Sequence, residues 1–405
     1  MRPTRRPLVI LVLLSAAAAC GAEQPPQWLT GLDDRPLALL DTLPDGPLKM
    51  RLEACRGQEA RPSTFAIGHR GAPLGFPEHT RESYAAAAAQ GAGVLECDVT
   101  FTADRTLVCR HAQCDLHSTT NILDTALAER CREPFAAADP ATGRPAGARC
   151  CTSELTLTEF RGLCGRRDVV DATAASVADY LAPTRGEPCG TLMTHAESVT
   201  LFDRLGVAMT PELKAPEVPM PFQGSLTRAE LADALIDDYR RAGIAPARVW
   251  PQSFSLDDVR HWINRHPEFA DRVVYLDGRG AGDAFDPAAP ERLEPTMAQL
   301  TAMGVRVIAP PVWVLLTIED GRIVPSAYAR AARAAGLDIV TWTLERSGSL
   351  AGGGGFYYQS VAELIERDGD VYTVLDVLAR DVGVIGVFSD WPATVTFYAN
   401  CMNLG

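Results

Sequence analysis

Between Phe65 and His111, three short apolar runs each end in groups able to handle a phosphate: His69 with Arg70, Glu96 with Asp98, and His111. Glu96 and Asp98 stand two apart in a strand-like run. The two-residue period of a strand therefore points both carboxylates to one face and Cys97 to the other. Carboxylates that share a face must be solvated, share a proton or hold a cation. A donor set of oxygens alone favours Mg2+ or Ca2+ over zinc. Two imidazoles nearby can serve as base and acid, and Arg70 offers a planar fork to phosphate oxygens. Farther along, Glu212 ends another strand-like run and adds a third hard oxygen, with Lys214 on the same face as a second phosphate clamp. Each group also has a plainer reading: a structural histidine at a strand exit, a salt-bridged rim for Glu96 and Asp98, an ion pair between Glu212 and Lys214. Gln252, Trp313, Trp342 and Asp390 are weaker candidates. Trp342 is either core or an apolar wall for a glycerol or head group, and Asp390 either joins the site or braces the last turn. His79 and His195 read as helix-start residues, and His117, His261 and His266 as surface residues, none with assigned chemistry.

The ordered motifs extend well beyond this stretch. They are His69-Arg70-Gly71, Pro77-Glu78-His79-Thr80, Glu96-Cys97-Asp98-Val99, His111, Glu212-Leu213-Lys214, Gln252-Ser253-Phe254, Trp342-Thr343 and Ser389-Asp390-Trp391-Pro392. In this order the chain resembles the glycerophosphodiester phosphodiesterases, from Ile67 to Pro392. It departs from their pattern at His79 for Asn, at Ser389 for Thr, and at Ala112, where Asp commonly follows the histidine. The last departure leaves the orientation of the His111 ring unexplained. The resemblance implies an α/β fold, a (β/α)8 TIM barrel, with His69 and His111 as proton carriers. It also implies Glu96, Asp98 and Glu212 around one divalent cation, Ca2+ or Mg2+. Arg70, Lys214, Gln252 and Trp342 are then the substrate-binding candidates.

The elements that must carry these residues follow an alternating rhythm. Strand-like runs fall at 65–68, 93–99, 106–111, 207–214, 248–254, 272–276, 305–310, 338–344 and 383–389. Helical patterns at 81–90, 196–205, 228–242, 256–265, 296–303, 327–335 and 371–381 lie between most of them. That alternation predicts a mainly parallel sheet closed into a barrel, with the site at the C-terminal strand ends. Nine strand candidates are one too many. Val99 and Thr106 are too close for a crossover helix, so a tight connection is expected there. Residues 112–195 break the rhythm, with six cysteines and no sheet period. They read as an inserted, disulfide-stapled cap over the barrel mouth, the alternative being a peripheral decoration. In the loop 348–359, four consecutive glycines precede Phe356, Tyr357 and Tyr358. The glycines free the backbone, and the aromatics are placed to line the mouth.

Composition narrows the class. The 405-residue chain is 47% hydrophobic and carries a formal net charge of −13. An acidic chain of this kind is not expected to bind nucleic acid. Arg2, Arg5 and Arg6 precede an apolar run and an Ala-Ala-Ala-Cys ending, so residues 1–20 read as a signal peptide of lipoprotein type with Cys20 acylated. Residues 21–63 read as a tether and N-terminal segment, with short helices around 37–43 and 48–54, and residues 64–400 as the barrel. Of the 11 cysteines, ten remain besides Cys20, an even number suited to disulfides in an oxidising compartment. Cys97 alone has the further option of a small buried hydrophobe.

The resulting expectation is an exported enzyme, held at the cell envelope through Cys20 or else periplasmic or secreted. It hydrolyses small glycerophosphodiesters to glycerol 3-phosphate and an alcohol. The alternatives are a sphingomyelinase-D-like phospholipase acting on membrane lipids and a non-catalytic envelope lipoprotein. The sequence carries no signal for oligomeric state.

Overall fold

A computed structural model describes residues 34–281 and 286–405. Residues 1–20, whose sequence reads as a signal peptide with Cys20 acylated, lie outside the described residues. Eight parallel strands form a closed ring: β1 (Ser63–Gly68), β2 (Ala92–Phe101), β4 (Ala208–Leu213), β5 (Gln252–Ser253), β6 (Val274–Leu276), β7 (Val307–Ala309), β8 (Asp338–Thr341) and β9 (Gly386–Ser389). Pairing of β1 with both β9 and β2 closes it. The ninth candidate is β3 (Leu107–Cys109), an antiparallel partner of β2 in the register Val99↔Cys109. The tight connection expected between these two runs is therefore a hairpin, and β3 is the strand outside the ring.

Each parallel step needs a crossover, and helices supply it. In chain order the helices labelled here are α1 (Asp34–Thr42), α2 (Pro47–Glu53), α3 (Arg81–Ala89), α4 (His195–Leu205), α5 (Arg228–Arg241), α6 (Leu256–Arg265), α7 (Met297–Ala302), α8 (Ala327–Ala334), α9 (Asp370–Asp376) and α10 (Ala393–Met402). Their starts are written locally. Thr194 with Glu197, Thr227 with Glu230 and Thr296 with Gln299 form reciprocal capping boxes at α4, α5 and α7. The run at 248–254 is shorter as a strand than its pattern, because Pro251 has no N–H to give the ladder.

Alternate residues of the strands fill the barrel interior. Ile67, Val94, Val274, Leu276, Val307, Ala309, Val340 and Phe388 form one buried cluster, with Ala208, Trp250 and Trp342 packed against it. The helices expected near 37–43 and 48–54 are α1 and α2, and they are docked on the barrel. Leu39, Leu40, Leu43 and Leu52 are buried, and Tyr372 donates to the Pro36 carbonyl at 2.9 Å.

All ten cysteines among the described residues are paired: Cys55–Cys401, Cys97–Cys109, Cys114–Cys151, Cys131–Cys150 and Cys164–Cys189. Cys97 therefore staples the β2–β3 hairpin rather than serving only as a buried hydrophobe. Residues 112–195 hold three of the five bridges and two small apolar clusters. They are tied to the barrel by the Thr152 hydroxyl donating to the Phe101 carbonyl at 2.8 Å. The Glu217 N–H, in the loop after β4, donates to Gln113 at 2.6 Å. Among the described residues no helix is long and apolar enough to cross a membrane.

The bridge between Cys55 and Cys401 joins the segment just after α2 to α10 across 346 positions. Closing so long a loop removes much unfolded-chain entropy, so replacing both cysteines by serine should cost ~2–5 kcal/mol. The expected reading is a lower denaturant midpoint, with the far-ultraviolet circular dichroism of the folded chain unchanged below the transition.

Candidate active site

The register that builds the core also delivers the chemistry. Inward positions two apart run from Ile67 to His69, from Val94 to Glu96 and Asp98, from Ala208 to Glu212 and Lys214, and from Phe388 to Asp390. The barrel interior is thus apolar through its depth and polar at the C-terminal strand ends. Glu96, Asp98 and Glu212 each present an oxygen within 4.8 Å of the others, and all three are buried. Gln252 donates to Glu96 at 2.8 Å, and Lys214 pairs with Glu212 at 2.6 Å. The plainer Glu212–Lys214 ion pair is therefore present inside the carboxylate cluster itself.

Crowding of like charge is visible in the titration of these groups. Burial, then Asp98 and Glu212, pushes Glu96 well above the usual carboxylate range. Burial also pushes Glu212 up to about 7 despite Lys214. For Asp98 burial acts in the opposite sense to its neighbours, and Lys214 and His79 hold it well below the usual range. The buried oxygens Asp98 Oδ1 and Gln252 Oε1 have no hydrogen-bond partner. Hard oxygen donors, mutual repulsion and unpartnered buried oxygens together fit a divalent cation of the Ca2+ or Mg2+ type.

His69 leaves β1 into a tight turn. Arg70 there adopts φ 56° and Gly71 φ 94°, and a Cβ on Gly71 would stand 2.3 Å from Ser83 Oγ. Only glycine lets this turn close on the start of α3. Ser83 Oγ accepts from the Ala72 N–H at 2.9 Å, and the Arg70 N–H donates to Glu96 at 2.9 Å. The His69 Nδ1–H donates to Asp390 Oδ1 at 2.5 Å, so Nε2, 3.9 Å from Glu96, carries the lone pair. Burial brings the His69 imidazole down to about 4, outweighing the upward pull of Asp390. Asp390 is itself paired to Arg346 at 2.9 Å. The guanidinium of Arg70 is buried, 3.0 Å from Glu78 and 3.9 Å from Asp98.

His111 follows β3 and is half-buried. Its ring nitrogen, a Glu78 oxygen and an Asp115 oxygen lie within 4.8 Å of one another. These carboxylates stand where the absent Asp after His111 left the ring without a neighbour in the sequence. Burial, then Arg70 and Lys214, drives His111 well below its ordinary value. Trp342 is half-buried at the end of β8, and its indole N–H donates to the Ala309 carbonyl at 2.7 Å. Trp313, another of the weaker candidates, meets Phe356 of the glycine-rich loop with ring centroids 6.2 Å apart.

Several residues here carried little or no signal in the sequence. His79 precedes the helix cap, as its position indicates, but its side chain is fully buried between Asp98 (2.9 Å) and the Tyr84 hydroxyl (2.9 Å). Glu78 and Arg346 complete a charged layer, 3.6 Å apart. Glu78 and His79 lie inside the Pro77-Glu78-His79-Thr80 motif, which is the signal that marks them, whereas Arg346 lies in no motif. The remaining histidines stay apart from the site. His195 is buried on Asp238, and His261 and His266 share Asp233 at 2.7 Å each. His266 is buried rather than on the surface as its sequence reads, because it closes α6 against α5.

The insertion reaches the edge of this layer. Arg167, Asp168 and Val169 line a cavity of about 150 Å3 together with Glu78, Arg346 and Asp390.

Comparison with known proteins places this architecture. The model of the glycerophosphoryl diester phosphodiesterase family matches residues 69–394. An extracellular protein of Arthroderma benhamiae is 46% identical over 248 residues, covering 58% of this chain and 100% of that protein. A Mycobacterium tuberculosis protein, provisionally named glycerophosphodiester phosphodiesterase 1, is 40% identical over 123 residues, which are 30% of this chain and 40% of that one. A crystal structure from Silicibacter pomeroyi, provisionally named a glycerophosphoryl diester phosphodiesterase, shares the fold. It has a TM-score of 0.56 at 21% identity and covers 88% of this chain and 98% of its own. With the match running from the first histidine of the site to the last strand exit, the chain belongs to the glycerophosphoryl diester phosphodiesterase family and is a phosphoric diester hydrolase.

Proposed function

We propose that this phosphodiesterase hydrolyses glycerophosphodiesters to glycerol 3-phosphate and an alcohol, in a cation-dependent reaction with His69 as base and His111 as acid. The observation that carries the reading is the convergence of Glu96, Asp98 and Glu212 within 4.8 Å at the mouth of the barrel. These three residues would hold one divalent cation, Ca2+ or Mg2+. When bound, it supplies positive charge to the non-bridging oxygens as charge builds on phosphorus. Arg70 and Lys214 clamp the same oxygens, and Gln252 keeps Glu96 in place. Trp342 gives the glycerol or head group an apolar wall.

The hydrogen bond from His69 Nδ1 to Asp390 favours His69 as the base. It fixes the tautomer with Nε2 free, and burial keeps the ring neutral at physiological pH. Nε2 then removes the proton of the attacking hydroxyl, which is the free substrate hydroxyl beside the phosphoester or water. His111 is held neutral by burial and by Arg70 and Lys214. A bound anionic diester offsets those two cations, raises the ring and lets it protonate the leaving alkoxide. Attack by the substrate hydroxyl gives a cyclic phosphate, and water then opens it.

Five disulfides and the extracellular relative support export, and the Ala-Ala-Ala-Cys ending supports acylation at Cys20. Cys20→Ser should release the mature protein from membranes in a fractionation experiment. Equal partitioning of both forms would leave a simple signal peptide.

Chelation tests the cation. EDTA should abolish turnover of glycerophosphocholine, and Ca2+ or Mg2+ should restore it; unchanged turnover after exhaustive chelation counts against the three-carboxylate assignment. The leaving group tests the histidines. On a natural diester, His69→Ala and His111→Ala should each lose about 10²–10⁴ in rate. A nitrophenyl leaving group needs no proton, so on that substrate His111→Ala should recover most of its rate while His69→Ala should not. The opposite pattern would exchange the two roles.

A further inference from the structure

We propose that the helical layer of this barrel carries a second metal site, of the Zn2+ class, held by Asp233, His261 and His266 between α5 and α6. It shares no residue with the three-carboxylate cluster and does not depend on the reaction proposed above.

The way α6 ends brings the ligands together. Asp233 lies on α5 and His261 on α6. His266 stands five positions beyond His261, where a continuous helix would turn it to a different face. Pro267 follows it, and the residue before a proline is pushed out of the helical region. His266 accordingly takes φ −127° and ψ 61° and closes α6. His261 Nε2 and His266 Nε2 both donate to one oxygen, Asp233 Oδ1, at 2.7 Å each. The two ring centroids are 6.0 Å apart with the planes at 73°, and the three ligand atoms lie within 4.8 Å of one another.

Two imidazole nitrogens and one carboxylate oxygen make a donor set for zinc, whereas the oxygens at the barrel mouth suit Ca2+ or Mg2+. Tetrahedral bonds of about 2 Å set donors about 3.3 Å apart, so each N···O separation opens by about half an ångström. The cation takes the place of the two Nε2 hydrogens, and each ring keeps its proton on Nδ1. His266 is buried while His261 and Asp233 are half-buried, which leaves a fourth position open to water. Negative charge gathers nearby, since Glu230 feels Asp233 and Glu268 feels His266.

Arg240 opposes the metal. Its guanidinium donates to His266 Nδ1 at 2.8 Å, which makes that nitrogen an acceptor and keeps the ring hydrogen on Nε2. Arg240 also pairs with Asp237 at 3.1 Å and with Glu268. Metal binding requires Arg240 to leave Nδ1, and Glu268 then takes the Nδ1 hydrogen, the carboxylate–imidazole–metal arrangement that orients such rings. Arg228 Nε already fastens the starts of α5 and α6 through Asp258 at 3.0 Å. A bound zinc fastens the same two helices farther along.

The test keeps the mature protein in millimolar Mg2+ or Ca2+ and titrates it with Co2+, a spectroscopic stand-in for Zn2+, followed by visible absorption. Co2+ should bind at micromolar concentration, Zn2+ should displace it, and Zn2+ should raise the melting temperature. His261→Ala should lose both the Co2+ band and the zinc-dependent rise, with far-ultraviolet circular dichroism unchanged. Arg240→Gln should tighten binding about tenfold, an effect that a purely hydrogen-bonded clamp does not produce. Three results overturn the site and leave the cluster a hydrogen-bonded clamp. They are no band in either the wild type or Arg240→Gln, a band that persists in His261→Ala, and half-saturation only at millimolar metal.

Discussion

Three buried carboxylates facing one another are the constraint around which this barrel is arranged. With oxygens within 4.8 Å of one another and an effective dielectric of about 20, each ionised pair repels by roughly 3 kcal/mol or more. The fold offsets that cost with groups from the loop after β1, the end of β4 and β5: Lys214 on Glu212, His79 on Asp98, and the Arg70 N–H and Gln252 on Glu96. The offset is incomplete, as the raised Glu96 and the unpartnered Asp98 Oδ1 show. The deficit of positive charge that remains among the three carboxylates fits a cation.

A second layer of charge supports the first. Glu78 and Asp390 accept Arg70 and Arg346, and Asp390 also orients His69. Glu78, Asp390, Arg70 and His69 are buried and Arg346 is half-buried, so removing a member strands a charged partner away from water. The dense polar layer sits on the apolar barrel interior and is flanked by residues 167–169 of the insertion. The insertion has too little apolar material to fold as the barrel does, and three disulfides hold it. Its hydrogen bonds to β2 and to the loop after β4 keep it at the site's end of the barrel.

Much of the site was legible in the chain because strand geometry is local. A period of two places Glu96 with Asp98 and Glu212 with Lys214 whatever the rest of the fold does. The helix–strand alternation likewise carries the barrel, and the short gap between Val99 and Thr106 rules out a ninth parallel stave. His79 stands at a helix start, as its type and position describe, and they carry no sign of its contact with Asp98. Its burial against Asp98 depends on a strand nineteen residues later. Arg346 gave no cue, for its partners Glu78 and Asp390 come from opposite ends of the sequence.

The sequence by itself determined which residues face inward on each strand, that strands and helices alternate, and that ten cysteines form an even set. Those properties follow from short-range periodicity and from counting. Only the tertiary structure decided which cysteines pair, which imidazole has a carboxylate behind it, and that Phe254, Trp342 and Tyr357 touch. Those contacts join residues tens to hundreds of positions apart. Closing the barrel sets their distances, and no local pattern records them.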